Sequence, residues 1–493
     1  MIDAVKLIAD LPYVDASRIG VTGHSNGAMA SNLAVTLDNE FETPLIASVL
    51  LVARDPIYTD PDGAYFNLYG SRDVGVVAAQ YDEFFFRVRN EDGTRTAPGE
   101  YIDQDIAQSF LNFGIDPAEA EARSSYTMYR ENIDGEEAIR VIYNPAQIHP
   151  WNTISSGVVK NSIEFFEESL GAPNPIPPTN LVWVWKEVFN VIGLVGFAMF
   201  VLAFAKVLLE TSFFSTLKTR EVVAAQPAPS GGARVWFWVS WTLAAFVSGY
   251  TYLVLPAIIN GDGWPSRPDY FLQSPVFFIG VWAVVNGLFA LVLMLITWFF
   301  FGGKDVSLKE RGVTISLQKL WKTILLSLAV VFSAFLIVFI SDWLFKVDFR
   351  LWVLPVKAFG PDKIGIILMY LPFFLIFYVL HSIAVNSFNY IDQGREWVNV
   401  AVLALFTTLG VLVFVIVQYG TFFTTGRSWT EVMDPSVSNI YGIWLFPILL
   451  YFPLAVIFDR KLFKVTKNPY LGGIIFATIM TIIACTNTLS QLP

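Results

Sequence analysis

The sequence predicts an α/β domain with a sheet of parallel strands, followed by an all-α polytopic bundle of about eight transmembrane helices. Three observations predict it. Residues 1–180 carry 11 Lys/Arg against 27 Asp/Glu, whereas residues 181–493 carry 21 against 15, an asymmetry expected of two domains in two environments. Short apolar runs alternate with helix-like runs over the first 170 residues, as in an α/β sheet. Beyond a Pro-rich stretch come eight apolar segments of roughly 18 to 24 residues, about the length that crosses a hydrocarbon core.

In chain order, Arg18–Thr22 reads as a short strand and Asn26–Leu37 as a helix of small residues. Leu45–Ala53, Tyr65–Tyr69 and Ala138–Tyr143 read as further strands, and Val158–Leu170 as a closing helix. Residues 80–136 interrupt the alternation with acidic, turn-rich sequence and two expected helices, Ile102–Phe113 and Pro117–Tyr129. They read as an insertion whose Tyr81-Asp-Glu-Phe-Phe-Phe86 run lies over the site, where its aromatics line a pocket or simply pack. The expected boundaries are 1–170 for the α/β domain, 171–180 for a stiff linker (Gly171-Ala-Pro-Asn-Pro-Ile-Pro-Pro-Thr179), and 181–493 for the membrane domain.

The expected spans lie near 188–209, 236–258, 276–300, 323–341, 364–385, 398–418, 441–458 and 470–488, none with a charged residue in its middle. Trp183, Trp236, Trp343 and Tyr419 sit at span ends, where interfacial aromatics belong. Phe345–Phe359, with Trp, Leu and spaced charges, is expected to lie flat in the interface. The loops 206–235, 301–322, 386–397 and 459–469 hold 14 Lys/Arg, against 6 in those on the other side. The basic side faces the cytoplasm, so a cell-membrane protein with its α/β domain outside is expected. The acidic domain excludes nucleic acid as a partner, because phosphates require a basic surface. The single cysteine, Cys485, lies in an apolar run and reads as a small buried hydrophobe. Met1–Pro12 has neither the basic start nor the apolar core of a signal peptide.

The strongest local signal is Arg18-Ile-Gly-Val-Thr-Gly23-His24-Ser25-Asn26-Gly27. A G-x-S-x-G that follows a strand and opens a helix is a tight bend that lifts the serine hydroxyl out of the sheet at the positive end of the helix. Glycines are expected on both sides, where a Cβ would clash. A serine at its ordinary pKa needs a base, itself oriented by an acid. Of three histidines, His24 is expected to point away from the serine as helix-start packing. His381 is expected to hydrogen-bond between membrane helices, with a proton relay the lesser reading. His149, in Ile-His149-Pro-Trp, follows the Ala138–Tyr143 strand and is the expected base. The acid is expected after a strand between Ser25 and His149. Asp73 leads and Asp55 is the alternative.

The elbow and its lead-in, Leu-Pro-Tyr-Val-Asp-Ala-Ser-Arg-Ile-Gly, resemble the dienelactone-hydrolase-like and peptidase-like branches of the α/β-hydrolase superfamily, and Gly-Ser-Arg-Asp73-Val-Gly resembles that family's acid loop. The resemblance covers about residues 1–170. It implies a membrane-anchored serine hydrolase acting on a small-molecule or lipid ester, with amides second and acyl transfer using the same site. It gives the chain order Ser25, Asp73, His149, and makes the Asn26 N–H one oxyanion donor. The family's second donor loop has no counterpart here. Only about 24 residues precede Ser25, where the family places four strands. The expectation is a partial fold, either continued upstream in a longer gene or, less favoured, a remnant.

No P-loop, no G-x-G-x-x-G after a strand and no HExxH occurs, so no cofactor and no metal is expected. The rival reading is a transporter or membrane receptor with an inactive hydrolase-like ectodomain. The absence of charge inside the spans is taken against it.

Overall fold

The computed structural model describes residues 1–90, 93–220, 228–260, 267–301, 306–391, 395–434 and 439–490. Two compact units emerge: Met1–Val184 together with Val417–Ile443, and Trp185–Ile416 together with Trp444–Pro493.

In the first unit, α1 (Ile2–Ala9), β1 (Ile19–His24), α2 (Asn26–Asp38), β2 (Ile46–Val52), β3 (Asp73–Val77), α3 (Asp105–Leu111), β4 (Tyr129–Ile133), β5 (Glu136–Tyr143) and α4 (Ser156–Leu170) follow in order. They form a five-stranded sheet in the order β1-β2-β3-β5-β4. All neighbours are parallel except β4, which returns antiparallel along β5. β2 shows why the strands read as continuous apolar runs. Val49 and Leu51 join one core with Ala28, Val35 and Phe110, while Leu50 and Val52 join another with Val158 and Phe165. A parallel sheet covered on both faces needs apolar side chains on both.

Two expected elements differ. Tyr65–Tyr69 is not a strand. Tyr69 turns into the core and donates its hydroxyl to Asn32 Oδ1 (2.8 Å). The Gly70 carbonyl and the Asn67 side chain close on the buried Arg140 guanidinium (3.0 and 2.9 Å). Aromatics that read as strand formers here anchor a loop, and β3 begins only at Asp73. The segment expected as a helix over Pro117–Tyr129 has one 3₁₀ turn, Pro117–Glu119, and then extended chain into β4.

The second unit is helical. α5 (Trp183–Leu209), α6 (Gly231–Asn260), α7 (Ser274–Phe300), α8 (Leu317–Phe345), α9 (Asp362–Ile383) and α10 (Glu396–Thr425) come first. A short α11 (Trp429–Met433) precedes α12 (Leu445–Thr466) and α13 (Pro469–Thr486). Among the described residues, all of these but α11 supply the eight helices long and apolar enough to cross a membrane, and α9 continues through a π-helical turn to Phe388. Helices satisfy their own backbone groups, as a lipid-embedded chain must. Phe345–Phe359 includes a hairpin of β6 (Phe349–Leu351) and β7 (Leu354–Val356). Lys304 of the basic loops lies outside the described residues. One expectation is overturned here. α12 runs past 458 to Thr466 and carries Asp459 and Arg460 buried within it (2% and 3% exposed). The span was expected near 441–458, with 459–469 as a loop.

Candidate active site

Ser25 is the residue between β1 and α2, at φ 56°, ψ −112°. That backbone conformation is strained for a residue with a Cβ, and such strain persists only where the surroundings enforce it. They do: the Ser25 N–H donates to the Val52 carbonyl (2.9 Å), pinning the bend to the end of β2. A Cβ on Gly23 would lie 2.2 Å from the Gly27 carbonyl carbon and 2.7 Å from the Ala28 nitrogen. Glycine is therefore required at 23. At Gly27 nothing lies within 4 Å of the corresponding Cβ position, so the expected second clash is absent. Asn26 is the first residue of α2, and the first N–H groups of a helix have no partner within it.

His149 opens a 3₁₀ turn, His149–Ile154, beyond β5. Its ring lies 4.6 Å, centroid to centroid, from that of His24. His24 Nε2 lies 3.1 Å from the His149 carbonyl oxygen, across which an N–H donates. His24 thus packs against the His149 turn. It ties the elbow to the His149 turn, and burial, followed by the nearby His149, holds its imidazole down at about 4, neutral at ordinary pH.

His149 Nδ1 lies 2.7 Å from Asp82 Oδ2, with both side chains buried. Neither Asp73 nor Asp55 makes this contact. Asp73 begins β3, level with Ser48, whereas the elbow follows His24, level with Val52 four residues further on. At about 3.3 Å per residue that is ~13 Å along the strands, at the opposite end of the sheet. The Asp73 carboxylate instead accepts the Ile139 N–H (2.8 Å), and burial pushes it up to about 6. Asp55 lies past β2, where it accepts the Phe86 N–H (3.1 Å) and is likewise raised to about 6, chiefly by burial.

Residues 78–81 continue β3 alongside 143–148. The Ala78, Gln80 and Tyr81 N–H groups donate to the carbonyls of Tyr143, Pro145 and Gln147. This extension delivers Asp82 opposite His149. The other Asp82 oxygen accepts the N–H groups of Phe84 and Phe85 (2.9 and 3.0 Å), so the carboxylate is fixed in a tight turn. Phe84 and Phe85 then pack on the His149 ring at 4.8 and 5.6 Å. The Tyr81–Phe86 run, read as a cover, therefore also carries the carboxylate that pairs with His149. The sequence signal for its placement is the branched run Asp73-Val-Gly-Val-Val-Ala-Ala, which leads into the loop that holds Asp82.

Glu83 was also missed. It is buried, with Oε2 accepting the His149 N–H (2.8 Å) and Oε1 accepting the Tyr419 hydroxyl (2.9 Å). Burial, then the charge of Asp82, raises it to about 7 from an ordinary 4.5. A carboxyl raised in the folded state destabilises that state increasingly as pH climbs above 4.5, with the full effect above about 7. Glu83→Gln, which keeps both hydrogen-bonding positions, is expected to melt above the parent at pH 8 and level with it near pH 4.5. Thermal unfolding of the full chain across that range checks it, and a constant difference would refute the assignment.

Among the described residues, no group of three or more His, Cys, Asp or Glu side chains is arranged to hold a metal ion. No protein-family model matches the chain, and comparison with curated proteins and with solved structures returned no match.

Proposed function

We propose that the first unit is an α/β-hydrolase-like serine hydrolase held at the membrane, cleaving esters, with amides second, through an acyl-enzyme on Ser25. The observation that carries the reading is the buried His149–Asp82 pair (2.7 Å), whose imidazole packs 4.6 Å from that of His24, the residue before a strained serine at a strand-to-helix bend. With Nδ1 committed to Asp82, Nε2 is the ring nitrogen left to take the Ser25 proton and return it to the leaving alcohol. Asp82 fixes the tautomer and stabilises the imidazolium without taking the proton. The Asn26 N–H, at the start of α2, supports the developing oxyanion. Water then releases the acyl group, and an alcohol in its place gives acyl transfer. The basic-loop asymmetry supports an outward-facing site, and the substrate class, a small-molecule or lipid ester, is what the elbow's family resemblance implies.

The test is labelling of the full-length protein with a fluorophosphonate probe. Labelling is expected and is lost in Ser25→Ala, whereas a parent chain that never labels defeats the proposal. A second reading, a transporter or receptor with an inactive hydrolase-like unit, is favoured by the buried Asp459 of α12. Absence of labelling would point to it.

A further inference from the structure

Helices α6, α7, α9, α10 and α12 enclose a cavity of about 100 Å³. Its wall combines aromatic faces, among them Trp241, Phe388 and Phe406, with the hydroxyls of Ser240, Thr297 and Thr407. Each of these hydroxyls donates its hydrogen to a carbonyl of its own helix, that of Phe237, Leu293 and Leu403 respectively (2.9, 2.9 and 2.8 Å). What they retain for an occupant is lone pairs, although Thr297 Oγ1 also accepts from Trp236 Nε1 (2.9 Å), and Trp241 in the wall has a buried Nε1 without a hydrogen-bond partner. No Lys, Arg, Asp or Glu lines the cavity among the described residues, and its titratable side chain is His381.

His381 connects the cavity to a buried charge. Its Nε2 lies 3.4 Å from Thr407 Oγ1 in the wall, and its Nδ1 lies 3.3 Å from Asp459 Oδ2 behind it. Asp459 is 2% exposed, and neither of its oxygens has a well-formed hydrogen bond. Gly472 brings the α13 backbone so close that a Cβ there would stand 2.3 Å from Asp459 Oδ1. An ionisable group this poorly satisfied inside a membrane bundle is a functional site by default. Around it stand Ser382, whose hydroxyl donates to the Pro469 carbonyl (2.6 Å), and the adjacent Arg460, whose Nε is buried without a hydrogen-bond partner. Arg460 is outside the wall, with Nη1 on Asn386 Oδ1 (2.9 Å) and its guanidinium 3.4 Å over the Tyr390 ring. Glu396 and Lys464, next outward, pair with each other. α9 adds the Tyr378 hydroxyl, and α13 brings glycines 472 and 473.

We propose that this cavity binds a small organic ammonium ion. Lone pairs accept the N–H donors of such an ion, and aromatic side chains attract its charge. Asp459 supplies a counter-charge through a low-dielectric interior, where Coulomb attraction is strong.

The experiment is calorimetric titration of the full chain in lipid nanodiscs with ethylammonium, and with ethanol as the uncharged control of similar size. Ethylammonium is expected to bind at least about tenfold tighter than ethanol. Asp459→Asn is expected to weaken it about tenfold or more. Equal binding of ethanol, no binding of ethylammonium or an unaffected Asp459→Asn overturns the proposal. Should Asp459→Asn not fold, Trp241→Leu removes one aromatic face and leaves the buried pair in place. Unchanged affinity there overturns it equally. The outcome is independent of fluorophosphonate labelling at Ser25.

Discussion

Asp82→Asn is expected to reduce ester hydrolysis by about 10⁴-fold, the size of effect seen when an acid that fixes a histidine tautomer becomes an amide. An amide nitrogen at the Oδ2 position can donate to His149 Nδ1, which holds the proton on the wrong ring nitrogen for attack by Ser25. The fold should survive, since the remaining amide oxygen still accepts from Phe84 and Phe85. Asp73→Asn, at the far end of the sheet, is expected to leave the rate within about twofold. The comparison is made on the full chain with an activated ester, alongside the rate of fluorophosphonate labelling. If Asp73→Asn were the inactive variant and Asp82→Asn the active one, the proposed roles would be wrong.

The second large effect separates the two glycines of the elbow. Gly23→Ala drives a methyl group into the backbone of Gly27 at 2.2 to 2.4 Å, where no flexible side chain can move aside. Backbone must shift, at a cost of about 3 kcal/mol or more, and the serine shifts with it. Loss of labelling together with lower stability is expected. Gly27→Ala meets open space within a helix, so labelling persists and stability rises by roughly 0.5–1 kcal/mol from the lower entropy of the unfolded chain. Chemical denaturation and labelling of both variants check this. Equal damage from the two would mean that the bend is not built as described.

Much of the fold was legible because it rests on local patterns. The β1–Ser25–α2 bend, the apolar β2 run and the eight long apolar segments each declare themselves within twenty or thirty residues. Where the sequence misled, a side chain's partner lay far away. Tyr69 reads as part of a strand until Asn32 and Arg140 are seen to hold its loop. Asp82 reads as one acid among many until residues 78–81 are seen to pair with 143–148. Asp459 falls just past the expected span near 441–458, and its neighbour His381 is 78 positions away.

The first unit is closed by residues from late in the chain. Arg87 meets Glu431, 344 positions on, through two hydrogen bonds of 2.8 Å, and Glu83, bonded to the His149 backbone, meets Tyr419. A ribosome that has reached residue 184 has therefore made an unfinished unit, with a buried guanidinium still awaiting its carboxylate. Completion waits until α10 and α11 have been synthesised. Contacts of such long sequence separation form late, so the environment of His149 matures only with the membrane segment already built. That timing would tie completion of the proposed site to synthesis of the membrane segment.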